Sequence, residues 1–109
     1  MPDSYSVILT TAGSAEEAES LASGLVEQKL VACAQLLPIG SIYTWEGKIE
    51  KDSEVLLLLK ARADLYEQIE SYILERHSYD TPEVLQLDVK QGSEGYLSWI
   101  SEVSGPGSA

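Results

Sequence analysis

Tyr5, Val7 and Leu9 alternate with Ser6 and Thr10, the period of a half-buried strand running from Tyr5 to Thr11. Ala12-Gly13 breaks the alternation. From Ser14 the period lengthens: Ala18, Leu21, Ala22, Leu25 and Val26 recur at helical spacing as far as Lys29. Ser14 and Glu17 form a capping box, the hydroxyl taking the N3 amide and the carboxylate reaching back. Glu16, Glu17 and Glu19 suit the positive end of the helix dipole. Strand character returns over Val31 to Trp45, with Pro38 marking an edge, a bulge or a bend because proline cannot donate to a ladder. Glu46-Gly47 is a two-residue reversal, and Lys48 to Ala61 comes back as the third strand, with a bulge expected near Asp52-Ser53. Val55 to Leu59 is apolar on both faces, which predicts a central strand in a sheet covered on both sides.

Asp64 is the expected cap of a second helix ending near Arg76, with Glu67 as its box partner and Leu65, Ile69, Tyr72 and Ile73 facing inward. Thr81-Pro82 stops any continuation. Glu83 to Lys90 reads as the fourth strand, with Leu85, Leu87 and Val89 on one face. After Gly92-Ser93, the residues Tyr96, Leu97, Trp99, Ile100 and Val103 make a short terminal helix. The order β-α-β-β-α-β plus one helix is an α+β, ferredoxin-like sandwich with both crossover helices on one face. The sequence divides into a single domain over 1–103 and a tail at 104–109 with the Gly-Pro-Ser composition of a linker or a cloning remnant.

One element is too large for a domain of this size. Leu36, Leu37, Ile39, Ile42, Tyr43 and Trp45 form an apolar strip along the second strand and its hairpin arm. A chain of 109 residues buries only about two-thirds of its unfolded surface by itself. An apolar arm with an open edge aggregates unless another chain covers it, so an obligate assembly is expected.

Charge narrows the partners. With 18 acidic and 7 basic residues the net charge is −11, and the basic residues are scattered, so no phosphate-binding face is expected and nucleic acid is excluded. The longest apolar runs fall far short of the ~20 residues of a membrane span. No basic-then-apolar leader opens the sequence. One cysteine permits no internal disulfide, which fits a reducing cytoplasm.

Candidate chemistry is sparse. A Cys-x-x-Cys metal pair is impossible with Cys33 alone, and the loop Thr11-Ala12-Gly13-Ser14 has no arginine to cradle a phosphate. His77 with one of many serines could assemble a hydrolase, yet no local pattern favours any serine, so the chain is read as a non-enzyme. Cys33, beside Ala32 and Ala34, is an inert buried thiol or a soft ligand for copper. His77 either caps the second helix or serves as a ligand. Tyr43 and Trp45 pack between subunits or stack on a ligand. Lys60 ends the most apolar strand; it either reaches the surface or pairs with Glu83, where opposite charges would recognise a small anion or zwitterion.

These residues accumulate into a resemblance. Val31-Ala32-Cys33-Ala34, Ser41-Ile42-Tyr43-x-Trp45-Glu46-Gly47-Lys48-Ile49, Glu54-Val55 leading to Lys60, His77-x-Tyr79-x-x-Pro82-Glu83 and Tyr96-Leu97-x-Trp99-Ile100 resemble the CutA family over about residues 5 to 103. The resemblance implies a PII-like homotrimer whose hairpin arms pair across subunits, a cytoplasmic binding or signalling role, and a link to divalent-metal tolerance. It implies no required cofactor, with Cu²⁺ or another divalent ion held weakly by Cys33 and His77. A ligand is expected in clefts between subunits, where concave sites concentrate, with Tyr43, Trp45, Lys60, Tyr79 and Glu83 as the binding residues. A copper buffer using Cys33 and His77, or a small-molecule enzyme in the cleft, are the alternatives. Two positions depart from the family pattern: Ser78 stands where proline is usual after the histidine, and Gln35 where asparagine commonly follows Ala-Cys-Ala.

Overall fold

The computed structural model describes residues 3–105. Four strands and three α-helices follow in the order β1 (Tyr5–Ala12), α1 (Ala15–Glu27), β2 (Cys33–Trp45), β3 (Lys48–Arg62), α2 (Tyr66–Arg76), β4 (Val84–Asp88) and α3 (Glu94–Val103), with a 3-10 turn at Ala63–Leu65. The sheet is antiparallel throughout, ordered β2-β3-β1-β4. This is the ferredoxin-like arrangement the hydrophobic periods predict, with the apolar β3 inside the sheet and Pro38 on its β2 edge.

Residue parity assigns each strand position to a face. Ile8, Thr10, Leu57 and Leu59 point to the side covered by α1 and α2, where they join Leu21, Leu25, Ile69 and Ile73 in a closed core. The opposite face is covered only in part. α3 lies over β3, anchored by a Tyr5–Ser101 hydroxyl pair at 2.6 Å and by buried Ile100. Beyond α3, Leu37, Leu85 and Leu87 remain about half exposed on that face (53%, 52% and 48%).

The arm is explained by register. β1 pairs with β3 only as far as Ala12 opposite Val55, so residues 39–54 of the β2–β3 hairpin extend past the rest of the sheet. The molecule is correspondingly elongated, 47 × 25 × 21 Å. Pairing runs unbroken from Cys33–Lys60 to Trp45–Lys48, so the bulge expected at Asp52-Ser53 does not form. Glu46 and Gly47 both adopt positive φ (50° and 78°), a pair that matches the right-handed twist of the flanking strands.

Two helix-end expectations and one strand length are corrected. Ser14 does cap α1, accepting from the Glu17 N–H at 3.1 Å, but the Glu17 carboxylate turns to the α2–β4 loop. Asp64 does not cap α2; it holds Arg62 through two bonds of 3.1 and 2.7 Å, and α2 begins after Leu65 without a side-chain cap. The fourth strand is Val84–Asp88, shorter than expected. α1 closes through Lys29, at φ 60°, with Lys29 N–H donating to Val26 and Leu30 N–H to Leu25, the paired bonds of a Schellman end. The tail expected at 104–109 lies outside the described residues from Pro106 onward; Ser104 and Gly105 are buried, and Gly105 N–H donates to Lys29 at 2.7 Å.

Candidate functional site

α2 ends at His77, which turns extended (φ −72°, ψ 143°) and throws residues 77–83 back across the end of β1. The His77 side chain is fully buried, and both ring nitrogens are engaged. Nε2 lies 2.6 Å from the Thr11 carbonyl, which can only accept, so Nε2 carries the proton. Nδ1 then accepts from the Tyr79 N–H at 3.0 Å. The ring therefore does not cap the helix carbonyls, one of the two roles the sequence allows it; it staples the loop to β1.

Glu17 makes the second half of this clasp. Its carboxylate accepts from the Ser78 N–H and from the Ser78 hydroxyl, both at 2.8 Å, and lies 3.7 Å from His77 Nδ1. Burial acts to raise the Glu17 pKa. The Ser78 amide and hydroxyl and the Gly13 amide act against it, and the carboxyl sits below the usual glutamate range. A proline at 78 would supply neither donor.

The clasp positions Tyr79. Its hydroxyl donates to Glu54 at 3.0 Å, and its ring passes so close to Gly13 that a Cβ there would lie 3.0 Å from the phenol oxygen. Partial burial, followed by the bond to Glu54, pushes the phenol up to about 12. Tyr43 on the arm donates likewise to Asp52, and that bond to a carboxylate is the chief reason its pKa also rises to about 12. Tyr79, Tyr43 and Trp45 form walls of a cavity of about 610 Å³ beside the arm, with Glu54, Asp80 and Glu83 among its lining residues.

Four of the five expected ligand residues thus converge: Tyr43, Trp45, Tyr79 and Glu83. Lys60 does not join them. It faces Cys33 four rows away along β3, roughly 13 Å at the usual strand rise, and bonds the Gln35 side chain; no Lys60–Glu83 pair forms. The same separation holds Cys33 apart from His77. Cys33 is half-buried at the α3 end beside Tyr96, and no group of three or more His, Cys, Asp or Glu side chains suited to a metal ion occurs among the described residues. Glu54 and Asp80 were missed from sequence. The two-residue turn could have revealed Glu54, since it sets Ile39 opposite Glu54 and hence Glu54 on the face of Tyr43.

Residues 6–103 match the family model described as CutA1 divalent ion tolerance protein. This chain belongs to that family. Among CutA relatives, the divalent-cation tolerance protein of Pyrococcus horikoshii is 42% identical over 96 residues, covering 88% of this chain and 94% of its own length. The chloroplastic CutA of Arabidopsis thaliana is 41% identical over 95 residues, 86% of this chain, and the chain spans only about half (52%) of that protein's length. CutA1 from Oryza sativa superposes with a TM-score of 0.93 at 34% identity, covering 96% of this chain and 97% of that one. The Archaeoglobus fulgidus protein, described as a periplasmic divalent cation tolerance protein CutA, does so with 0.90 at 37% identity, covering 91% and 97%. The PII-like, ferredoxin-like CutA fold and the divalent-cation tolerance family follow from these matches.

Proposed function

We propose that this CutA-family chain acts as a homotrimeric binding and signalling protein whose ligand clefts lie where the arm of one subunit meets the next. The observation that carries the reading is the half-covered sheet face. Leu37, Leu85 and Leu87 there, with Ile49 on the arm, leave more exposed apolar side chain than a monomer of this size tolerates. β2 adds a free edge of 13 residues guarded only by Pro38. Self-association covers both. The recess under Tyr79 and Trp45 then opens beside the subunit boundary, where ligand sites concentrate.

In this reading the protein binds and does not catalyse: the one histidine has both nitrogens committed to backbone groups and none to a serine. Copper receives no site within one protomer, because His77 would have to surrender the Tyr79 amide and Cys33 stands at the other end of the sheet. The link to divalent-cation tolerance is carried from the names of the relatives. The cytoplasm is its setting here, supported by the single unpaired thiol; the periplasmic and chloroplastic relatives carry names that place them elsewhere. No described helix is long and apolar enough to cross a membrane. Light scattering should return three times the protomer mass, unchanged on dilution, and a stable monomer would overturn the assembly and its clefts together.

A further inference from the structure

The cavity beside the arm keeps the acidic partner that the sequence suggests and lacks the basic one. With Lys60 held elsewhere by Gln35, none of the lining residues is basic, while Glu54, Asp80 and Glu83 all contribute to it. We infer that this recess receives an organic ammonium ion, a primary or quaternary amine on a short apolar body, and turns away carboxylates and phosphates. The inference rests on reading the recess as the ligand cleft and adds the class of ligand.

Three independent features agree. First, the strongest neutral donors are already spent: a phenol has one proton, and those of Tyr43 and Tyr79 go to Asp52 and Glu54. An incoming anion would meet three carboxylates, with the Trp45 indole N–H and aliphatic hydroxyls as the side-chain donors left to accept from. Second, the walls are aromatic. Trp45, Tyr43 and Tyr79 all line the recess, and a cation laid against an aromatic face is attracted by its negative quadrupole. Third, size and spacing select against a bare metal. The volume of about 610 Å³ is that of a small-molecule pocket. Among the described residues no three carboxylate, histidine or cysteine groups stand close enough to share one ion. Dispersed carboxylates around an aromatic wall suit a large, weakly hydrated cation whose charge is spread over C–H and N–H groups.

The test is calorimetric titration of the intact protein with choline and with putrescine, against malonate and inorganic phosphate as anionic probes. Saturable binding of choline or putrescine is expected. It should weaken with added salt, and by on the order of tenfold or more in Glu83→Gln and in Trp45→Leu, where a carboxylate or the largest ring face is removed. Asp80→Asn provides a second charge deletion should Glu83→Gln fail to fold, and circular dichroism with light scattering establishes that each variant keeps the wild-type assembly. Tighter binding of malonate or phosphate, ammonium binding indifferent to both charge deletions, or no saturation by either ammonium probe would each overturn the inference. A trimer that prefers malonate leaves the assembly reading standing and removes this one; a monomer removes both.

Discussion

Replacing Ser78 with proline should destabilise this protein. The backbone at 77 already fits a following proline, since φ −72° and ψ 143° lie in the extended region that X-Pro demands. What proline removes is the pair of bonds from Ser78 to Glu17, both 2.8 Å long. Bonds to a charged acceptor contribute about 1.5–3 kcal/mol each in dry surroundings. The Glu17 side chain keeps 21% of its exposure, so solvent screening reduces this to about 1 kcal/mol each. Restricting the unfolded chain returns about 0.4–1 kcal/mol. The net loss is ~1–1.5 kcal/mol, a fall in Tm of roughly 5 °C at fixed protomer concentration. Glu17→Gln tests the same clasp through pH. Because the folded pKa of Glu17 lies below its unfolded value, its stabilisation is complete above the ordinary glutamate pKa of about 4.3 and is lost as pH falls below that towards the depressed native value. The gap in Tm between wild type and Glu17→Gln should therefore close in acid. An unchanged or raised Tm for Ser78→Pro, or a gap independent of pH, would refute the reasoning.

Gly24→Ala should destabilise by ~1 kcal/mol or more in denaturant titration, against the helix preference for alanine, because a Cβ there would sit 1.7 Å from the Tyr72 hydroxyl. Pairing it with Tyr72→Leu should recover part of the loss. Glu46→Asn should raise thermal stability by about 0.5–1 kcal/mol, since Glu46 holds φ 50° in a turn that asparagine-glycine fits best. Alkaline titration followed by ultraviolet absorbance should show Tyr43 and Tyr79 ionising near pH 12, after tyrosines of ordinary pKa. As the folded values are raised, the associated stability is intact below pH ~10 and lost as pH climbs through about 12. Calorimetry with Cu²⁺ should show no tight site for which Cys33 and His77 are both required, and a stoichiometric nanomolar site abolished by Cys33→Ser would reverse that expectation.

Sequence patterns reached the fold because local periods and global packing agree in this chain. The two-sided apolar run Val55 to Leu59 became an interior strand, and Ser14 capped its helix as the spacing predicts. The misses share a cause: a side chain with two possible partners takes the one that tertiary structure brings near. Glu17 could have closed a capping box, yet the loop after α2 offered it an amide and a hydroxyl. Asp64 could have capped α2, but a guanidinium two residues away made the stronger pair. Lys60 has two readings from sequence, reaching the surface or pairing with Glu83; strand register separates the two residues, and no local pattern encodes that distance. The aromatic half of the cavity was legible because the hairpin reversal sets Tyr43 and Trp45 on one face of the arm. Its acidic half was not, since carboxylates in a chain of net charge −11 usually mark solvent.

The clasp also says how one cavity wall is held in this member of the family. A proline at 78 would fix the path into Tyr79 through its ring, with no dependence on charge. Serine leaves that backbone freer, and the constraint passes to Glu17, which is anchored on α1 and must be ionised to accept both donors well. His77 completes the hold by accepting the Tyr79 amide. The ring that walls the cavity and donates to Glu54 is thus tied, within three residues, to the first turn of α1 and to the end of β1. Tyr79 has no helix or strand of its own to orient it; its place depends on two side chains from the core elements, so changes at Glu17 or Ser78 should reach the cavity although neither residue lines it.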